Sequence, residues 1–350
     1  MIILFKEEGE FQPSIALNQA LDNIAYQCRS GNHLLMGSRN LLSRLAESPN
    51  LDKRTSSIIR NAAQRMTQQG ALLQQSPWIL EIDTANSSKD LAHLLDFIDP
   101  GLCEKSQLLT ENPTDSSALA SLAEIYIKTY FTGHQLSIRC NNGGGSTIGN
   151  TLKQITDTAS GCVLCVVDSD RIFPGAKVGS TARAAKQAYK KVTPQWRARL
   201  HIIEQRELEN IIPNDVRNHC IKLYAPHLLP TSINIERTQK FYSDHFCLKS
   251  GDSMCRMVSS IITQKQQNKL KEANEAHTPS PLEKVEPCGT CSNNNDCRRS
   301  SGFGAGFLGW VAEELKSKRV SSDPSGWREE LTFLVRTVAL LGIGNRPMRT

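Results

Sequence analysis

The run from Cys162 to Val167, CVLCVV, followed by Asp168, Ser169 and Asp170, constrains the fold of this chain more than any other stretch. Unbroken apolar residues with no polar alternation read as a strand buried on both faces, which requires a parallel sheet covered by helices. Its carboxyl end carries Asp168 and Asp170. Open α/β sheets place their ligands at that edge, and two carboxylates spaced i, i+2 just past a strand can face one hard cation. A solvated Asx turn fits the same three residues.

The flanking sequence repeats the pattern. QLLTENPTD, residues 107–115, reads as a short apolar strand, then Glu111, an Asn-Pro turn, and Asp115 capping a helix that runs to about Tyr130. HQLSIRC reads as a second strand, closed by Asn141, Asn142 and the glycines Gly143 to Gly145. After the Asp168–Asp170 turn, a basic helix from Thr181 to Val192 leads to the strand RLHIIEQ, residues 199–205, and then to RELEN with Glu207 and Glu209. Every acid in this series follows a strand. The glycines suit either a close backbone approach to a phosphate or a tight turn between strand and helix.

This order of strands and acids resembles the Toprim fold of topoisomerases, primases and OLD-family nucleases, and RELEN with the triple glycine is most similar to the branch found in bacterial anti-phage nucleases. The resemblance covers about a third of the chain, with Asn112 where many members have glycine and Ile211 and Ile212 where an aromatic is common. It implies a metal-dependent phosphodiesterase that binds Mg²⁺ or Mn²⁺ through Glu111, Asp168, Asp170 and either Glu207 or Glu209, with nucleic acid as substrate. It also implies a role for a basic residue after the glutamate motif, for which Lys249 is the candidate; a surface lysine before a Ser-Gly turn is the other reading. A non-catalytic regulatory or nucleic-acid-binding subunit, or a topoisomerase or primase, would share the acid order. A topoisomerase needs a nucleophilic tyrosine, and Tyr126, Tyr130, Tyr189, Tyr224 and Tyr242 lack a recognisable helix-turn-helix context.

The residues argue for the same chemistry without the family. Convergent carboxylates repel one another unless a cation joins them, and their hard oxygens suit Mg²⁺ or Mn²⁺. Two such ions about 3.5–4 Å apart stabilise both the attacking and the leaving oxygen of a phosphodiester. The net charge of +6 permits nucleic-acid binding without demanding it. No apolar run approaches a membrane span, and MIILFKEEGE is too short and too acidic for a signal peptide, so a cytoplasmic protein is expected.

Three regions are expected: 1–104, 105–225 and 226–350. The first reads as a mainly helical unit for partner docking or packing, with strands at MIILFK and PWILEID and helices over Pro13–Arg29, LLMGSRNLLSRLAE and Thr55–Gln75. Its Arg39, Arg44, Lys53, Arg54, Arg60 and Arg65 suit either nucleic-acid contact or a solvated face. The middle region is the catalytic core. The last holds a polar linker over 263–287, a cysteine cluster and two amphipathic helices. Cys288, Cys291 and Cys297 match part of a structural Zn²⁺ site, with His277, His245 or Cys247 as a fourth ligand; free thiols or a redox pair are the alternatives. The other eight of the eleven cysteines read as reduced thiols. Gly302 to Gly309 lacks the preceding strand and following Lys-Ser/Thr of a P-loop, and reads as a turn that starts a helix. With no ATPase motif in the chain, a controlling ATPase or regulator would be a separate chain; self-association is compatible with the sequence.

Overall fold

A computed structural model describes residues 1–6, 12–84, 91–158, 160–229, 244–251, 302–320 and 322–346. The protein is α/β, with two four-stranded parallel sheets flanked by helices. The chain divides into one unit of Met1–Val167, Ser180–Ile202 and Ser322–Thr350, and a second of Asp168–Gly179 and Ile203–Ser321.

In the first unit, β1 (Ile2–Lys6), β2 (Leu34–Gly37), β3 (Leu80–Asp83) and β4 (Ala92–His93) form one sheet in the order β2-β1-β3-β4. Helices α1 (Ile15–Arg29), α2 (Arg39–Ala46) and α3 (Lys53–Gln75) connect its strands. This corrects the helical reading of Leu34–Gly37. Leu34 to Gly37 are all buried and pair in parallel with β1, and Ser38 then accepts from the Leu41 N–H to start α2, so LLMG leaves the helix that SRNLLSRLAE continues. Four apolar residues without alternation carry no periodicity to separate a buried strand from a helix turn.

The second sheet runs β7-β5-β8-β9, from β5 (Gln107–Thr110), β7 (Arg139–Asn142), β8 (Val163–Val167) and β9 (Ala198–Ile202). All its neighbours are parallel, with Leu109 opposite Cys165 and Val167 opposite Ile202. All five residues of β8 are buried, as a strand covered on both faces requires. Burial pushes the Cys162 and Cys165 thiols up to about 12, so both remain protonated packing groups. α4 (Pro113–Tyr130) starts at Asn112, whose backbone N–H donates to Asp115 Oδ2 at 3.2 Å, and α5 (Ile148–Asp157) and α6 (Ser180–Tyr189) complete the crossovers. Because β7 lies on one side of β5 and β8 on the other, the strand order reverses between β5 and β8. Ligands of open sheets bind outside the carboxyl ends at such a reversal.

The expected strand HQLSIRC is two strands. β6 (His134–Leu136) leaves the sheet to pair antiparallel with β10 (Ile343–Asn345), and only then does β7 pair with β5. Gly342 makes this possible: a Cβ there would collide with Leu136, and the Ser137 N–H donates to its carbonyl at 2.6 Å. In the second unit α7 (Asn214–Tyr224) packs on α8 (Phe307–Lys316), and in the first α9 (Glu329–Leu341) packs on α4. Among the described residues no helix is long and apolar enough to cross a membrane.

Candidate functional site

Asp168 is the first residue after β8 and begins the second unit. Its carboxylate is almost wholly buried. Oδ1 accepts from the Leu208 N–H at 2.8 Å, and Oδ2 accepts from the Lys249 ammonium at 2.6 Å. Ser169 behind it is fully buried and donates from its hydroxyl to the Gln205 carbonyl. Asp170 then turns outward at φ 54, a left-handed conformation that aspartate tolerates better than most residues. Its N–H donates to the Arg206 carbonyl at 3.0 Å, and a Cβ on Gly179 would collide with its carboxylate. Partial desolvation and the Asp168 charge raise the Asp170 pKa, while Lys249 and Arg206 lower it. The Asp-Ser-Asp segment is therefore a built turn with its backbone pinned to the RELEN segment.

The two glutamates of RELEN have different surroundings. Glu207 is buried and committed: Oε1 accepts from the Cys247 thiol at 3.1 Å, and Oε2 accepts from the Leu248 and Lys249 N–H groups at 2.9 and 3.2 Å. It clamps the turn that carries Lys249. Burial raises its pKa, and the Cys247 hydrogen bond and Lys249 oppose that rise.

Glu209 is 1% exposed, and its Oε2 has no hydrogen-bond partner. The Lys249 ammonium lies 3.6 Å from that oxygen. Burial pushes its carboxyl well above the usual range, with Lys249 opposing and with Asp168 and Glu207 adding to the rise. A buried carboxylate oxygen without a donor is costly unless a proton or a cation meets it.

Lys249 thus bridges Asp168 and Glu209, acids separated from it by 81 and 40 positions in the chain. Its backbone is held from a direction that the sequence does not suggest. Phe303 donates its N–H to the Leu248 carbonyl at 2.6 Å and Gly304 donates to the Lys249 carbonyl at 3.0 Å. Gly302 lies so close to the backbones of Gly251 and Lys249 that a Cβ would collide with both. The glycine cluster before α8 is the turn expected at a helix start, with Gly304 at φ 90, and it also straps the lysine turn.

Glu111 follows β5 in the first unit. The triple glycine closes around its backbone: Gly143 donates its N–H to the Thr110 carbonyl at 2.7 Å and Gly144 donates to the Glu111 carbonyl at 3.2 Å. Gly144 and Gly145 have φ of 63 and 59, and a Cβ on Gly143 would collide with Ile148, so the run meets the demands of a tight turn. The structure brings Asp168, Asp170, Glu207, Glu209 and Lys249 together in the second unit, and describes Glu111 in the first.

Asp168, Asp170 and Glu209 supply hard carboxylate oxygens of the kind Mg²⁺ and Mn²⁺ take, and Glu209 Oε2 is an orphaned donor atom for such an ion. In the arrangement observed the lysine ammonium meets two of these acids, and among the described residues no three His, Cys, Asp or Glu side chains form a ready metal cage. Cys288, Cys291 and Cys297 lie outside the described residues, as does His277. The alternative fourth ligands are engaged elsewhere: Cys247 with Glu207, and His245 Nδ1 with the Arg171 carbonyl at 3.1 Å. The described cysteines are free thiols. No family model, no curated protein and no solved structure matches this chain.

Proposed function

We propose that this chain is a Toprim-type nuclease that uses Mg²⁺ or Mn²⁺ to hydrolyse phosphodiester bonds of nucleic acid, and that it serves as the effector of an anti-phage system. The observation that carries the reading is Glu209: a buried carboxylate whose Oε2 makes no hydrogen bond and meets the Lys249 ammonium at 3.6 Å, beside Asp168 just beyond the central strand of a parallel sheet. Other buried carboxylate oxygens of the chain, Asp22 Oδ1 and Glu330 Oε2, also lack a hydrogen bond; what sets Glu209 apart is its place beside Asp168 and Lys249. Asp168, Asp170 and Glu209 would hold the ion, and the resemblance adds Glu111 to the same set. A bound divalent ion supplies charge stabilisation at the phosphodiester and acidifies a water molecule.

The protein's own residues have separate tasks in this reading. Lys249 holds the acids together before the cation binds and turns its ammonium to the scissile phosphate afterwards, where added negative charge in the transition state strengthens its attraction. Glu207 is a positioning residue: it fixes the Leu248 and Lys249 backbone and so the height of the ammonium. The acids and the lysine address phosphates and read no base, so DNA and RNA are equally admissible substrates. Control would come from a separate regulatory or ATPase chain.

A second reading has an observation of its own. The 2.6 Å contact of Lys249 with Asp168 gives the acids a resident cation, as expected of a regulatory subunit whose site no longer takes metal. Incubation of the protein with plasmid DNA and with total tRNA, with Mn²⁺ and with chelator, separates the two. Mn²⁺-dependent cleavage supports the nuclease; a protein that binds nucleic acid but cleaves neither substrate supports the regulator.

A further inference from the structure

The first unit contains a cavity of about 220 Å³ that none of the preceding chemistry uses. It is bounded by α3, β2 and β10. Asn61, Arg65 and Gln69 line it at spacing four along α3, one face of that helix, and Asn345 and Arg346 close it from the end of β10. Leu35 and Ile58 give it an apolar floor.

Three features mark it as a site rather than a gap. Arg65 and Arg346 share its lining, and neither forms an ion pair with a described residue, so two positive charges meet at one opening without a counter-ion. Gln69 is 8% exposed, yet its amide makes no hydrogen bond with a described residue while it lines the cavity. The amide is not sealed from solvent, so it is available to a polar ligand that enters the cavity. Asn61 and Asn345 add two further amides that donate and accept.

We infer that this cavity binds a nucleoside 5′-phosphate, with the phosphate held by Arg65 and Arg346 and the sugar or base edge by Asn61, Gln69 and Asn345. Paired guanidinium groups match phosphate oxygens bidentately, and amides match hydroxyls and base edges. The volume lies below the roughly 300–1,000 Å³ of pockets that enclose drug-sized ligands, so the cavity takes in no more than one nucleotide and leaves part of it in solvent. The nucleotide comes either free, as a small-molecule signal, or as the phosphorylated end of a nucleic acid. This inference does not rest on the nuclease reading, since every residue it uses lies apart in sequence from the acids and Lys249.

Calorimetric titration of the full chain in chelator, so that no cleavage intervenes, tests it with adenosine 5′-monophosphate, adenosine, and a short oligonucleotide carrying a 5′-phosphate or a 5′-hydroxyl. The monophosphate should bind where adenosine does not, or the 5′-phosphorylated oligonucleotide should bind more tightly than the 5′-hydroxyl one, by a margin that the arginine variants lose. Arg65→Ala and Arg346→Ala should each weaken binding by about tenfold or more, the fold-change expected for one charge-assisted hydrogen bond. Arg65→Lys should recover part of the loss. Tighter binding of the phosphorylated oligonucleotide than of the monophosphate identifies a nucleic-acid end as the source; the reverse identifies a free nucleotide. Both exposed arginines can be replaced without opening the core, so the variants fold. Failure of every phosphorylated probe to bind, or binding unchanged in both arginine variants, overturns the inference.

Discussion

The two four-stranded parallel sheets are built alike and end differently. In the first sheet β1 runs into Lys6, which pairs at the surface with Glu81 at 3.2 Å, and β2 runs into Gly37, held against the Phe5 carbonyl and the Leu42 side chain. Among the described residues its one buried acid at a strand end is Asp83, the last residue of β3. In the second sheet β5 is followed by Glu111, β7 by three glycines and β8 by Asp-Ser-Asp. The scaffold is shared, and in the proposed reading the residues one or two places beyond the strands set the chemistry. A parallel sheet gathers its carboxyl ends on one edge whatever stands there, so function is decided by what the chain spends on those few positions.

That contrast can be broken by substitution. Asp168→Ala should abolish Mn²⁺-dependent cleavage while the protein stays folded, because a ligand at the rim of the core leaves no large cavity. Full activity in a soluble Asp168→Ala chain would remove the second sheet's edge from the chemistry. Glu111→Gln asks the same of the acid after β5, and undiminished cleavage there would confine the site to the second unit.

Lys249→Ala should slow single-turnover cleavage by ~10²–10³, by analogy with loss of one preorganised donor. The same variant should bind Mn²⁺ more tightly, because the ammonium no longer competes for Asp168 and Glu209. Slower cleavage with tighter metal binding is a combination that a merely structural lysine would not produce. Lys249→Arg should restore only part of the rate.

Glu207→Gln should cost about 1–3 kcal/mol in chemical denaturation, because an amide NH₂ must face either the Cys247 thiol or the Leu248 and Lys249 N–H groups. An unchanged denaturation midpoint would mean that the 247–249 turn does not depend on this clamp. The smallest effect is expected on the other sheet: Asp83→Asn should leave the cleavage rate where it was, and a loss comparable to that of Asp168→Ala would erase the contrast between the two edges.

Much of this was legible in the sequence because buried parallel strands announce themselves. CVLCVV and QLLT are short, largely apolar stretches, and α4, α7, α8 and α9 fall where helical spacing puts them. LLMG was not legible, since leucine and methionine suit a helix as well as a buried strand. The division of HQLSIRC depends on β10, some 200 residues away, and β10 itself reads as the tail of a helix. Within the site, residue types and order were readable; roles were not. Nothing in RELEN separates a glutamate whose oxygens clamp a turn from one left with an unsatisfied oxygen, because the difference is made by Cys247, Leu248 and Lys249 forty positions on. The support that Gly302 and Phe303 give to the lysine turn is equally remote.

The most direct test of the central claim is titration of Mn²⁺ into the protein and into Glu209→Gln, followed by calorimetry at several pH values. Burial holds the Glu209 carboxyl above its usual range, so a proton competes with the metal there, and apparent affinity should rise as pH climbs through that raised range. Glu209→Gln should lose both the affinity and its pH dependence. Mn²⁺ binding that is absent in the unaltered chain, or identical in Glu209→Gln at every pH, would contradict the account and leave Lys249 as the permanent cation of the site.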